Sequence, residues 1–279
     1  TLHSHQKKLH CHYCDFKKDL PQTCPKCEGV QIRELGFGTE RVESEIKKMF
    51  PTARVARLDR DTMTQKKSWE TILKKLNDHE IDILVGTQMI AKGHDYPHIT
   101  LVGILNADTA LNFPDFRAAE RTFQILLQVS GRAGRAEHPG HVMIQTYRPE
   151  HPCFQDLETH NVVKFFQDEI AERKPLFYPP FSRLVRLEFN GLKEERVSEA
   201  AHWVAKRLQS RLSKETNLLG PAPCPLHRLR NRFRWHLLLK TSSLDKTRAT
   251  LKELLDGGEA AGLPSGVRLL VDVDPIHLL

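Results

Sequence analysis

The string Gln128-Val-Ser-Gly-Arg-Ala-Gly-Arg135 places two arginines, Arg132 and Arg135, three residues apart. On a helix that spacing is about one turn, so both guanidinium groups leave one face and can reach a single triphosphate. Phosphoryl transfer spreads negative charge over the γ-phosphate oxygens, and an arginine inserted there accelerates the reaction by roughly 10³–10⁵. Gln128 lies one turn further back on the same helix. A helix end with two solvated arginines is the plainer alternative, but it leaves the glutamine and both glycines unexplained. A second string, Val85-Gly-Thr-Gln-Met-Ile-Ala-Lys-Gly-His-Asp95, follows a run that reads as a strand. Strand, polar turn, glycine and acid set Thr87, Gly93 and Asp95 at the C-terminal edge of a sheet, where α/β proteins bind ligands. An ordinary strand-to-helix loop is the competing reading.

Two further groups carry other chemistry. Cys11-x-x-Cys14 and Cys24-x-x-Cys27 are separated by nine residues. Each pair can supply two thiolates, and two pairs complete a four-sulfur tetrahedral Zn²⁺ site; reduced, unliganded thiols are the alternative. His10 and His12 flank the first pair as competing ligands, while Cys153 and Cys224 stand alone. In His227-Arg-Leu-Arg-Asn-Arg-Phe-Arg-Trp-His236, an extended chain puts Arg228, Arg230, Arg232 and Arg234 on one face, a stripe suited to phosphates. If Arg230-Asn231 is a hairpin turn instead, the basic groups cluster at its tip. A solvated basic strand is the third reading. Phe233 and Trp235 read first as core and second as platforms for base stacking.

The elements that must hold these residues alternate between helix and strand. Glu40 to Phe50 reads as a helix with Val42, Ile46 and Met49 on one stripe. A strand at 54–58, a helix at 68–77, strands at 81–85 and 99–105, a helix at 117–129 and a strand at 141–147 follow. Such alternation predicts an open, mostly parallel sheet. His151 to Lys174 reads as one helical stretch, and Phe177-Tyr-Pro-Pro-Phe181 as a break, a linker or packing strap. Beyond it come a strand at 183–189, a helix at 194–212, a proline-interrupted strand at 218–230, a strand at 233–240, a helix at 244–255 and a strand at 267–273. The β-α-β-β-α-β order is the ferredoxin-like arrangement. The expected organisation is therefore a zinc-binding segment over 1–35, an α/β lobe over 36–150, a helical linker over 151–180 and a basic α+β domain over 181–279.

Bulk properties exclude some classes. At 279 residues the chain fits about two domains. Its longest apolar run, around Ile99 to Leu105, is far short of a membrane span, and its His/Lys-rich start is no signal peptide; the expected location is the cytoplasm. A net charge of +7 suggests a polyanionic partner, and no acidic residue interrupts Gly220 to Lys240. The chain starts with Thr and contains no G-x-x-x-x-G-K-[S/T] loop to cradle phosphates and hold Mg²⁺. The expectation is a fragment carrying half of an ATPase site, inactive alone, with ATP and Mg²⁺ bound only by the full-length protein.

The two phosphate-directed strings resemble motifs V and VI of superfamily 2 helicases. With Gly38-Thr-Glu-Arg-Val-Glu43, Ala107-Asp108, Pro114-Asp-Phe-Arg-Ala-Ala-Glu-Arg121, Gln145-Thr146, Gly220-Pro-Ala-Pro223, Arg234-Trp235 and Asp272-Val-Asp-Pro275, nearly the whole chain resembles the family of bacterial primosomal replication-restart helicases. The resemblance implies a RecA-like second motor lobe of a 3′→5′ ATP-dependent DNA helicase that recognises stalled forks and reloads the replication machinery. It implies that Arg132 and Arg135 contact ATP phosphate, that Gly93 and Asp95 lie near the nucleotide, and that Thr87 lies near the DNA backbone. Single-stranded-DNA-binding protein and primosome proteins are the implied partners. The family pattern has eight such cysteines, two zinc ions and interleaved pairs, against four here, so which pairs share a zinc stays open. A non-catalytic zinc-ribbon scaffold with a degenerate motor lobe is the competing class, and the intact Gln128, Arg132 and Arg135 speak against it. Another superfamily 2 motor, such as a branch-migration helicase, would lack cysteine pairs beside this lobe.

Overall fold

A computed structural model describes residues 2–3, 8–10, 17–19, 21–23, 27–30, 38–59, 66–87, 99–131, 140–256 and 263–278. By contact the chain divides into two compact units, one of Leu35–Phe113 with Arg117–Phe166, the other of Thr1–Glu34, Pro114–Phe116 and Gln167–Leu279.

In the second of these, three short strands open the chain: β1 (Leu2–His3), β2 (Lys8–His10) and β3 (Lys17–Asp19). They form an antiparallel sheet in that order, with His10 opposite Lys17. Cys11 and Cys14, which follow β2 in the sequence, lie outside the described residues.

The α/β unit holds α1 (Thr39–Met49), β4 (Val55–Leu58), α2 (Lys66–Asn77), β5 (Ile83–Gly86), β6 (Leu101–Ile104), α3 (Asp108–Leu111), α4 (Ala118–Ser130), β7 (His141–Ile144) and α5 (Pro152–Glu158). Helix α6 (Val162–Arg173) begins in it. Its strands pair in parallel, as the alternating pattern requires. Among the described residues they make two separate pairs, β4 with β5 and β6 with β7, rather than one open sheet. The stripe expected on α1 is only half covered: Val42 and Ile46 are half-buried and Met49 is exposed. The core forms where α4 meets α5 and α6. Phe123, Leu126, Cys153, Phe154, Leu157 and Phe165 are buried together, with Phe123 and Phe165 stacked at 3.9 Å between ring centres. Full burial of each Leu or Phe contributes about 1.5–3 kcal/mol.

The single helix expected over 151–174 is two. His151 caps α5 through Nδ1, which accepts the Cys153 amide, and Pro152 occupies the first turn, where its missing N–H costs nothing. The chain then reverses through His160 at φ 54°, and the Asn161 side chain accepts the Lys164 amide to start α6. Two short polar caps override a continuous hydrophobic period.

The C-terminal part is built from β8 (Arg183–Gly191), α7 (Glu194–Gln209), β9 (Thr216–Leu229), β10 (Arg232–Thr241), α8 (Leu244–Asp256) and β11 (Arg268–Val273). The β-α-β-β-α-β order is the one read from the sequence, and the four strands form an antiparallel sheet ordered β11-β8-β10-β9. Strand alternation sorts the side chains. Val185, Leu187, Phe189, Leu237 and Leu239 face the helices, where Val197, Ala200, Ala201, Val204 and Leu208 of α7 make the expected buried stripe. Phe233 and Trp235 pack against this same core. β9 lies at an edge, which is why it tolerates Pro221, Pro223 and Pro225. At Gly220 (φ 92°) a Cβ would stand 2.8 Å from the His236 carbonyl, so only glycine fits the irregularity between β9 and β10.

Candidate functional site

The candidate nucleotide-contacting residues start on α4. Thirteen residues of helix end at Ser130, with Gly131 as C-cap, and Gln128 is exposed in the last turn. Phe123 and Leu126 bury the opposite side, so packing decides that Gln128 faces out. Arg132 and Arg135 lie outside the described residues.

The second string leaves β5. Leu58 and Gly86 are register partners at the end of the parallel pair, and Thr87 emerges exposed just beyond. Gly93 and Asp95 lie outside the described residues. Two residues at this edge were not singled out from the sequence as site residues. Asp59 follows β4 and is buried, and the Thr39 hydroxyl donates to it at 2.6 Å. Arg57 lies 3.2 Å from Glu43 and 3.5 Å from Asp59. These contacts fix the start of α1 against the strand end from which Thr87's neighbour Gly86 is held. The only sequence signal was Thr39 within Gly38-Thr39-Glu40 and an acid directly after a strand.

Asp108 plays a comparable part at the other pair. It is buried at the start of α3 and accepts the Thr146 hydroxyl at 2.9 Å and the Tyr147 amide at 3.0 Å. Burial alone would raise its carboxyl, but those hydrogen bonds, with Arg148 nearby, hold it below the ordinary carboxylate range. It ties the exits of β6 and β7 together, so Ala107-Asp108 and Gln145-Thr146 are two halves of one joint.

The basic segment is a hairpin, the second of the forms its sequence allows. Arg230 and Asn231 both take positive φ, 49° and 60°, the two-residue turn that matches strand twist. The extended stripe of four arginines is therefore not formed. Arg228 donates to the Asn231 side chain at 3.3 Å and sits 5.1 Å from the Phe233 ring centre, and Arg230 is exposed at the tip. Arg232 is half-buried and bonds the Asn190 side chain at 2.9 Å and the Asn190 carbonyl at 3.2 Å. Arg234 corrects the expectation outright. It is 7% exposed, grips Glu188 through Nε at 2.9 Å and Nη2 at 2.8 Å, and donates Nη1 to the Leu226 carbonyl. It is a buried partner, and the candidate phosphate contacts reduce to Arg228, Arg230 and Arg232. The reason is register: Arg234 and His236 stand opposite Asn190 and Glu188, so the basic face of β10 meets a carboxylate on β8.

Of the cysteine pairs, Cys27 is exposed and is in no disulfide, and Cys11, Cys14 and Cys24 lie outside the described residues. Among the described residues no group of three or more His, Cys, Asp or Glu side chains is gathered to hold a metal. None of the described helices is long and apolar enough to cross a membrane.

Comparison with known proteins supplies the context. A family model described as the Primosomal protein N C-terminal domain matches residues 174–276, and one described as the Helicase conserved C-terminal domain matches residues 28–137. The replication restart protein PriA of Bacillus subtilis (strain 168) is 41% identical over 279 residues, 100% of this chain and 35% of that protein. That of Synechocystis sp. is 41% identical over 273 residues, 98% of this chain and 32% of its own length. That of Chlamydia pneumoniae is 38% identical over 278 residues, 99% of this chain and 37% of its own. The chain thus spans about a third of the length of the curated relatives it matches. Two adjacent domain matches, and a likeness that runs unbroken from the cysteine pairs to the last strand, put this chain in the PriA family of replication restart proteins, as its C-terminal region.

Proposed function

We propose that this chain is the second motor lobe, with its zinc segment and DNA-binding C-terminal domain, of an ATP-dependent 3′→5′ DNA helicase that restarts replication at stalled forks. The observation that carries the reading is that one uninterrupted likeness to PriA contains the helicase-domain match and, inside it, Thr87, Gly93, Asp95, Gln128, Arg132 and Arg135. In this reading the lobe is RecA-like. Arg132 and Arg135 reach the ATP phosphates, Gln128 supports them, Gly93 and Asp95 line the nucleotide, and Thr87 touches the DNA backbone. ATP·Mg²⁺ binds chiefly through a phosphate loop that this chain does not contain. The C-terminal domain is of the ferredoxin-like kind, and its partners include primosome proteins and single-stranded-DNA-binding protein. The test is ATP hydrolysis with and without single-stranded DNA. The full-length protein is expected to turn over and to be stimulated by DNA, and this chain alone to be inactive. Steady turnover that stays with the isolated chain through purification sinks the half-site reading. A full-length protein without turnover favours the non-catalytic scaffold.

The thiolates of Cys11, Cys14, Cys24 and Cys27 are the right donor set for structural Zn²⁺, which would tie the connection after β2 to the segment that carries Cys27. Elemental analysis is expected to find about one zinc per chain, or less because only four of the family pattern's eight cysteines are present; structural zinc stabilises a small site by about 10–16 kcal/mol, so its removal is felt locally. Chelation is expected to loosen residues 1–35 and leave the α/β unit folded. Unfolding of the whole chain, or four freely titrating thiols in the untreated protein, would contradict this assignment.

At the hairpin, Arg228 and Arg230 project from the turn and suit phosphates rather than base edges. Binding to single-stranded DNA is expected to fall steeply with salt. Each lost phosphate contact should flatten the log–log slope by roughly 0.7, so Arg228→Ala with Arg230→Ala should flatten it by about 1.4. Fluorescence anisotropy at several salt concentrations measures this, and an unchanged slope would make the tip a merely solvated surface.

A further inference from the structure

Tyr147 follows the end of β7 by three residues and is 86% exposed, more than any other large hydrophobic side chain among the described residues. Its neighbours show that this is no frayed end. The Gln145 amide donates to the Ile104 carbonyl at 2.8 Å, and the Gln145 carbonyl accepts the Ala107 amide at 3.1 Å. Asp108 accepts the Thr146 hydroxyl and the Tyr147 amide, and the Thr146 hydroxyl in turn accepts the Arg148 amide at 3.0 Å. Each residue from Gln145 to Arg148 is thus tied down, while the Tyr147 ring engages nothing among the described residues.

A ring left in water forfeits the stabilisation that burial would give it. On a fixed backbone it keeps a use. A tyrosine side chain has few rotors, so little freedom is lost when a flat partner settles on it. Arg148 beside it is exposed and bonds the neutral Asn112 side chain at 3.3 Å, which leaves its charge facing solvent. An aromatic face next to a guanidinium suits one nucleotide of a single strand, the base on the ring and the phosphate on the charge. The location fits as well. Tyr147 leaves the carboxyl end of β7 as Thr87 leaves that of β5, and the carboxyl ends of parallel strands are where α/β folds bind ligands.

We propose that Tyr147 is a base-stacking residue, which takes an unpaired base of single-stranded DNA while Arg148 takes the neighbouring phosphate. The proposal rests on the motor reading above and names a contact of that same lobe with its DNA. A stack accepts any flat, unpaired base whatever the sequence. Duplex DNA, whose bases are already paired and stacked, gains nothing from it, and neither does a strand without bases. The adenine of ATP is the other flat base that this protein would meet, and the measurements separate the two.

The test measures equilibrium binding of the full-length protein, without ATP, to labelled oligothymidylate, to an abasic strand of the same length and to a blunt duplex. Tyr147→Ala is expected to weaken oligothymidylate binding by roughly 5- to 150-fold. Its affinities for the abasic strand and the duplex, and its KM for ATP, are expected to stay within about twofold of wild type. The log–log salt slope should not change, because no phosphate contact is lost. Tyr147→Phe and Tyr147→Trp keep a stacking face and are expected to keep the preference for bases. Arg148→Ala is expected instead to flatten the slope on single strands by roughly 0.7. Wild-type oligothymidylate binding in Tyr147→Ala, or an equal loss on the abasic strand, overturns the stack. A KM for ATP that rises while DNA affinity holds overturns it in favour of adenine. An unchanged slope in Arg148→Ala overturns the phosphate contact. Because binding is measured without ATP, the result stands whether or not the protein hydrolyses it: absent turnover counts against the motor reading, and absent base preference against the stack.

Discussion

Arg132→Ala and Arg135→Ala, each made in the full-length protein, are expected to lower ATP turnover by about 10³–10⁵ while nucleotide affinity falls much less. The asymmetry follows from when the charge appears. On the proposed motor reading a phosphate loop and Mg²⁺ outside this chain would hold the triphosphate in the ground state, so a distant arginine would add little to binding. In the transition state negative charge shifts onto oxygens that a guanidinium can reach, and the interaction strengthens only then. Lysine is a poor substitute, because an ammonium is a point charge without the planar pair of donors, so Arg→Lys at either position should recover only part of the loss. Single-turnover hydrolysis together with fluorescent-nucleotide binding separates the two effects. Both variants hydrolysing at the wild-type rate would remove the arginines from the mechanism. A loss confined to binding would make them ground-state ligands.

How much of this was legible depends on the range of the interactions involved. Helix α7 could be read residue by residue, because a five-residue apolar stripe at helical spacing has one way to be buried, and all five are buried. The β-α-β-β-α-β order was legible for the same reason. The break between α5 and α6 was not, because it depends on where His151 and Asn161 aim their side chains, and the hydrophobic period runs on across it. The arginine stripe failed in a more informative way. Alternation states that Arg232 and Arg234 share a face, which they do, but not which face meets another element. That depends on Glu188, 46 residues away, and on a register no local pattern encodes. The signal that could have found it was the alternation of Arg186 and Glu188 through β8, charges of opposite sign facing the same way as Arg234. Of the residues expected near ATP only Gln128 falls among the described residues, as does Thr87, expected near the DNA backbone, and the assignment of Gly93, Asp95, Arg132 and Arg135 therefore rests on family likeness.

The buried cluster on that sheet face leads to the largest expected effect on stability. Glu188 accepts both Nε and Nη2 of Arg234 and also bonds Arg186, and all three residues are buried. Burial pushes the Glu188 carboxyl up, but hydrogen bonds and charge from Arg234, then from Arg186, outweigh it and leave the group below its ordinary value. Removing the carboxylate strands two guanidinium groups in a poorly solvated place, which costs about 3–5 kcal/mol when one partner of a buried pair is lost. Glu188→Gln at pH 7 is therefore expected to lower the melting temperature of the C-terminal part by more than about 10 °C, at roughly 4–8 °C per kcal/mol for a part of this size. The pH dependence has a definite sign. A carboxyl whose folded pKa is depressed contributes fully above its unfolded value, near 4.3, and loses that contribution as pH falls through the lower folded value. Protonated Glu188 resembles glutamine, so wild type and variant should converge on acidification below the unfolded value and separate again towards neutrality. Calorimetric melts between pH 3 and 7 measure the gap. Equal stability at pH 7, or a gap that persists unchanged in acid, would mean that the two arginines are solvated well enough to stand without their carboxylate.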